Sequence, residues 1–216
     1  MERSLSPRIE GVPLHRLRRP MITGEETMTL TLAQTLDRCL DIAGNPTAAI
    51  SFPQRRMLGQ ALAFLPRQHY RRVLELGCGS GALARGLSAR CDHYVGLDAD
   101  ADALDEASLM PSPYAQTEFR QGRVPEDIPE GPFDLVVLNG VLQDLPAEAI
   151  ERLAVRLRQV APSADILCLR SLLFEGPDEA FRPQAALAAA LGRPLTACNF
   201  DRLFRIDVFE PERAAA

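Results

Sequence analysis

From Arg72 onward, short apolar runs alternate with stretches of helical period. The runs at Arg72–Leu76, Tyr94–Leu97, Phe133–Leu138 and Asp165–Leu169 predict strands, with a weaker one at Glu118–Gln121. Between and after them, Gly81–Ser88, Ala101–Ser108, Ala147–Val160 and Glu179–Leu191 predict helices. Strands joined by helices are the pattern of a parallel sheet with crossover connections. The last two runs, Leu195–Asn199 and Arg202–Phe209, leave no room for a crossover helix, so they predict an antiparallel hairpin. Ahead of the alternation, Leu32, Leu36, Cys39, Leu40 and Ala43 form a helical stripe that stops at Gly44-Asn45-Pro46. A second stripe, Met57, Leu58, Ala61, Leu62 and Leu65, follows Pro53 and ends before Pro66. The pattern predicts an α/β fold divided into a flexible arm at 1–27, a helical cap at 28–66, a core at 67–210 and a tail at 211–216.

A chain of 216 residues, 46% hydrophobic and 25% charged, fits one globular domain with extensions. A net charge of −5 argues against a dedicated nucleic-acid binder, which needs a basic field against phosphate. Every basic residue is Arg and none is Lys, so Schiff-base and phosphate-loop lysine chemistry are both excluded. The five cysteines, Cys39, Cys78, Cys91, Cys168 and Cys198, lie far apart, and His15, His69 and His93 have no ligand-spaced partner. No disulfide framework and no metal centre is expected, and the thiols suit a reducing cytoplasm. No run of 18 apolar residues predicts a membrane span. Residues 1–27, with five arginines and three prolines, read as an arm, or more simply as an extension upstream of a start at Met21 or Met28.

The strongest chemical signal is Glu75-Leu76-Gly77-Cys78-Gly79-Ser80-Gly81, a strand running through a glycine turn into a helix. Glycines permit tight turning and close ligand approach. The same letters satisfy the dinucleotide fingerprint through Gly77, Gly79 and Ala82, which leaves a nicotinamide-cofactor oxidoreductase open. Asp98 ends the second strand, 21 positions beyond Gly77. A carboxylate there can accept both hydroxyls of a ribose, whereas Asp98 and Asp100 could also simply cap the helix that follows. Of the arginine runs, Arg55-Arg56 and Arg71-Arg72 read as solvated edges, and Arg170 stands out because it ends the fifth strand.

Glu75–Gly81, Asp98 and Phe133-Asp134-Leu135-Val136-Val137-Leu138 together make residues 53–209 resemble the class I S-adenosylmethionine-dependent methyltransferases. Within that family, Arg55–Leu145 resembles small N-methyltransferases such as nodulation protein S. The resemblance implies a Rossmann-like, seven-stranded, mostly parallel sheet with an antiparallel last strand. It implies S-adenosylmethionine as cofactor and methyl transfer to nitrogen or oxygen of a small-molecule acceptor; the acidic charge, Gly140 rather than proline after Asn139, and the lack of a long apolar run leave neither nucleic acid nor membrane as an expected partner. A non-catalytic cofactor-binding scaffold is the other reading. By the same resemblance, Gly77, Cys78, Gly79 and Gly81 line the methionine part, and Glu75 holds its amino group or orders the turn. Asp98 binds the ribose, Ala99 lies beside the adenine, and Arg123 and Val124 border it through their backbone, where the family often has an acidic residue instead. Asn139-Gly140-Val141-Leu142-Gln143-Asp144 would bring acceptor and donor together, with Asn139 touching the cofactor and positioning the acceptor, and Asp144 as a base where the nucleophile arrives protonated. Gln143 stands where relatives often carry His or an aromatic residue, or is a solvated loop amide. The helices before residue 66 would shield the pocket.

Overall fold

The computed structural model describes residues 51–109, 115–172, 182–200 and 202–211. The expected arm and first helical stripe, the tail from residue 212, and residues 179–181 of the last expected helix lie outside this set. In chain order the elements are α1 (Phe52–Phe64), β1 (Tyr70–Leu76), α2 (Ala82–Leu87), β2 (Cys91–Asp98), α3 (Ala101–Ser108), β3 (Gln116–Gln121) and β4 (Leu135–Asn139). They continue with α4 (Ala147–Val160), β5 (Asp165–Ser171), α5 (Arg182–Leu191), β6 (Leu195–Phe200) and β7 (Phe204–Phe209). The strands form one seven-stranded sheet of order β3-β2-β1-β4-β5-β7-β6. Neighbours from β3 through β5 are parallel, and β7 runs antiparallel to both β5 and β6. This is the architecture expected from the alternation and the closing hairpin.

The central strands read as continuous apolar runs because both of their faces are covered. On one face Leu74, Leu76, Val95, Leu97, Val136, Leu138, Ile166 and Cys168 pack with α4 and α5. On the other, Val73, Tyr94, Leu135, Val137, Leu167, Leu169 and Ile206 pack with α1 and α2. Helix α1 starts with a capping box, Ser51 and Gln54 each accepting from the other's backbone N–H. It buries Met57 and Ala61 against that second face. Its apolar stripe therefore makes α1 part of a layer over the sheet.

Several boundaries differ from expectation. Strand β2 starts at Cys91, because Tyr70 and Arg72 of β1 pair with Cys91 and His93, although the exposed Asp92 and His93 weaken the apolar signal. Strand β3 starts at Gln116, an edge strand without a fully buried residue. Strand β4 starts at Leu135: the Phe133 N–H bonds Val160 O, and the Asp134 carboxylate accepts the Arg71 and Arg72 N–H groups at 2.9 and 2.8 Å. The aspartate of the Phe-Asp-Leu-Val-Val run thus ties the start of β4 to β1. Strand β7 starts at Phe204, with Arg202 and Leu203 in a bend.

Candidate active site

In an open α/β sheet, ligands sit beyond the carboxyl ends of the strands where the order reverses. Here β1 is that switch point, flanked by β2 and β4. A cavity of about 420 Å³ opens there, within the usual range of small-ligand sites. Gly77 directly follows β1, Leu97 and Asp98 end β2 with Ala99 just after them, and Gly122, Arg123 and Val124 lie beyond β3. Asn139, Gly140, Val141, Asp144 and Leu145 complete the wall beyond β4.

Gly77 has φ +81°, and a Cβ on it would lie 2.2 Å from Asn139 O and 2.7 Å from Val141 Cγ1. Only glycine lets the β1 turn approach the β4 end this closely. The Gly77 and Cys78 N–H groups both bond Leu97 O, at 2.8 and 3.2 Å. Asp98 Oδ2 accepts the Gly79 N–H at 2.7 Å and Oδ1 accepts the Asp100 N–H at 3.0 Å. An ionised carboxylate has about four acceptor sites, so two remain for hydroxyl donors in the cavity. Helix capping falls to Asp100, which accepts from the Asp102 and Ala103 N–H groups.

Seven of the residues expected in the site from sequence, Gly77, Asp98, Ala99, Arg123, Val124, Asn139 and Asp144, line this cavity. Gly79, Gly81, Cys78, Glu75 and Gln143 do not. Gly79 meets the site through its bond to Asp98, and Gly81 begins α2 with φ +73°. The Cys78 side chain packs over Gly96 of β2, where its Sγ would lie 2.8 Å from an added Cβ. Its thiol is pushed well above the ordinary range by burial and the nearby Glu75 and Asp98 carboxylates. Gln143 is half-buried rather than solvated: its Nε2 donates to Gly140 O, and its Oε1 is buried without a partner. None of the residues of α1 lines the cavity.

Glu75 is fully buried behind the turn. Its Oε1 accepts Asn139 Nδ2 at 2.8 Å, and its Oε2 accepts the Tyr94 hydroxyl. Burial raises its pKa to about 7, the two hydrogen bonds oppose that rise, and Asp98 adds to it. Both carboxylate oxygens are thus engaged by the β2 and β4 side chains, not by the glycine turn. Leu97, Gly122 and Leu145 were not named as candidates; each adjoins an expected residue, Asp98, Arg123 or Asp144, while Gly140 and Val141 belong to the segment expected to join acceptor and donor. Among the described residues, no group of His, Cys, Asp and Glu could hold a metal. No helix among them is long and apolar enough to cross a membrane.

The cavity offers a spare carboxylate acceptor at β2, a glycine-tight approach at β1 and apolar walls at Leu97, Val124, Val141 and Leu145. This set of groups fits a nucleoside with a free diol. Residues 73–162 match the family model described as a methyltransferase domain. Among curated proteins, the trans-aconitate 2-methyltransferase of Rhizobium etli is 36% identical over 97 residues, 44% of this chain and 35% of its own length. The chain thus matches about a third of that relative. A solved structure from Pseudomonas syringae, described as a candidate methyltransferase, is 31% identical, with a TM-score of 0.61 over 72% of this chain and 97% of that one. The N-methyltransferase NodS from Bradyrhizobium japonicum, solved with S-adenosylhomocysteine, shares the fold at 17% identity and a TM-score of 0.63, over 83% of this chain and 98% of its own. The glycine signature is thereby decided against the dinucleotide-binding alternative, and the chain belongs to the class I S-adenosylmethionine-dependent methyltransferases.

Proposed function

We propose that this protein transfers the methyl group of S-adenosylmethionine to a nitrogen or oxygen of a small-molecule acceptor. The observation that carries the reading is the Asp98 carboxylate, set at the switch-point cavity with two backbone donors and two acceptor sites to spare. The cofactor supplies an electrophilic methyl on a sulfonium, so the protein's task is alignment more than activation. Asp98 accepts the ribose hydroxyls, Ala99 and Val124 border the base, and the Gly77 turn makes room for the methionine end. Asn139 positions the acceptor from the β4 side. Asp144, exposed on the same wall, takes a proton when the nucleophile arrives protonated.

A small acceptor is supported by the name of the Rhizobium relative, a trans-aconitate 2-methyltransferase, while the acidic charge of this chain counts against a nucleic-acid acceptor. A protein acceptor is the second reading, because a relative from Thermus thermophilus, 33% identical over 125 residues, is a ribosomal protein L11 methyltransferase. Incubation with methyl-labelled cofactor decides between them. The acceptors are a panel of amines, phenols and carboxylic acids, alongside ribosomal protein. Label passing to a small acceptor, and falling at least tenfold in Asp144→Ala for a protonated nucleophile, is expected. Label passing to ribosomal protein alone would overturn the small-acceptor reading, and tight binding without transfer to any acceptor would favour the scaffold.

A further inference from the structure

Glu75 pairs in register with Gly96 on β2 and with Val137 on β4. Side chains alternate between faces along a strand, so Tyr94, two before Gly96, and Asn139, two after Val137, share the face of Glu75. They stand diagonally on either side of it. Gly96 has no side chain to separate them, and the space above it is taken by Cys78 Sγ and the Phe119 ring. The Tyr94 ring meets Phe119 edge-on at 6.0 Å, which fixes where the hydroxyl can reach. That hydroxyl donates to Glu75, and Glu75 in turn holds an amide that lines the cavity. Tyr94, 1% exposed, does not line the cavity itself.

We propose that Tyr94 is a positioning residue for the cofactor site, acting through Glu75 to fix the Asn139 amide and to hold a carboxylate behind the glycine turn. This inference rests on the cavity being the cofactor site. With both oxygens of Glu75 receiving donors, the Asn139 amide nitrogen is committed inward and its oxygen is left for the cavity. The titratable groups acting on Glu75 are Tyr94, the Cys78 thiol and Asp98. Desolvation and Asp98 favour its neutral form, whereas the Tyr94 and Asn139 bonds favour the anion. An anion here attracts a sulfonium more than the uncharged thioether of S-adenosylhomocysteine, because the surroundings screen weakly. The preference for the cationic form should therefore be largest above pH 7 and fade as Glu75 takes up its proton.

The test is calorimetric titration of both compounds between pH 5.5 and 8.5, on the wild type, Tyr94→Phe, Glu75→Gln and the double variant. Carboxyl carbon NMR of Glu75 is recorded in parallel without ligand. In the wild type, the affinity ratio of S-adenosylmethionine to S-adenosylhomocysteine should fall about three- to tenfold on acidification, as one weakly screened charge would produce. Tyr94→Phe should shift that midpoint and the Glu75 titration upward together. Glu75→Gln should make the ratio independent of pH, and adding Tyr94→Phe to it should change the ratio no further. If Tyr94→Phe does not fold, the flat profile of Glu75→Gln still supports the inference and a sloping one overturns it. A Tyr94→Phe protein that loses thermal stability alone, with ratio and titration unmoved, overturns the positioning role. Failure of the wild type to bind either compound is a different result: it removes the cofactor reading, and this inference with it.

Discussion

Replacing Gly77 by Ala should damage this protein far more than replacing Gly79, although both stand in the same turn and both have positive φ. At Gly77, φ +81° costs an alanine about 1–2 kcal/mol. The added Cβ would also sit 2.2 Å from Asn139 O, a backbone atom that moves only with the end of β4. Such overpacking costs a further ~1–3 kcal/mol, for a total of about 2–5 kcal/mol out of a typical ~5–15 kcal/mol. At Gly79 a Cβ meets nothing within 4 Å, so only the φ +49° conformation is charged against it, about 1 kcal/mol. Urea unfolding of both variants measures the difference, and calorimetry with S-adenosylhomocysteine measures its effect on the site. Gly77→Ala should lose both stability and binding, and Gly79→Ala should keep most of each. Equal losses in the two variants would refute the argument from close approach.

Asp134→Ala leaves the Arg71 and Arg72 N–H groups without their carboxylate, and should lower unfolding stability by about 1–3 kcal/mol with the hydrogen-bonding capacity lost. Asp100→Ala removes the α3 cap and should cost about 1 kcal/mol, with cofactor affinity within twofold of wild type; a tenfold loss of affinity would show that capping and binding are not separable here. Glu75 has its pKa raised from 4.5 to about 7 in the folded protein, so between those values the native state holds a proton that the unfolded chain has released. Folding stability should therefore decline as pH rises from about 4.5 to 7 through this group, and chemical denaturation at pH 5, 6, 7 and 8 should show Glu75→Gln abolishing that part of the slope.

Much of the fold was legible because its signals are local. The Val73-Leu74-Glu75-Leu76 run and the glycines after it mark a buried strand and a tight turn from the letters alone. The shortage of residues between Leu195 and Phe209 dictates a hairpin. Strand β3 was weak in the sequence because an edge strand needs few apolar residues, and only Thr117 and Phe119 alternate inward. The β4 boundary was misplaced because Phe133 is apolar for another reason: it is buried with α4 and stacks under Arg72 at 4.6 Å. In the site, residues at strand ends, Glu75 and Asn139 among them, could be named in advance, whereas their joining through Tyr94 across the register could not. Nothing in the spacing of Glu75, Tyr94 and Asn139 announces that they meet; the pairing of β1 with β2 and β4 brings them together. Likewise, Cys78 packs into the room that the missing side chain of Gly96 leaves beside Phe119, which a single sequence does not display.

The most direct measurement is calorimetric titration of the protein with S-adenosylmethionine, S-adenosylhomocysteine and NADH, repeated with Asp98→Asn and Asp98→Ala. Charge-assisted hydrogen bonds to a ribose diol are worth about 1.5–3 kcal/mol. Binding of the first two compounds should therefore weaken about 10- to 100-fold in Asp98→Ala and less in Asp98→Asn, with NADH inert throughout. Selective binding of NADH, or affinities for the first two that ignore Asp98, would contradict the assignment of this cavity.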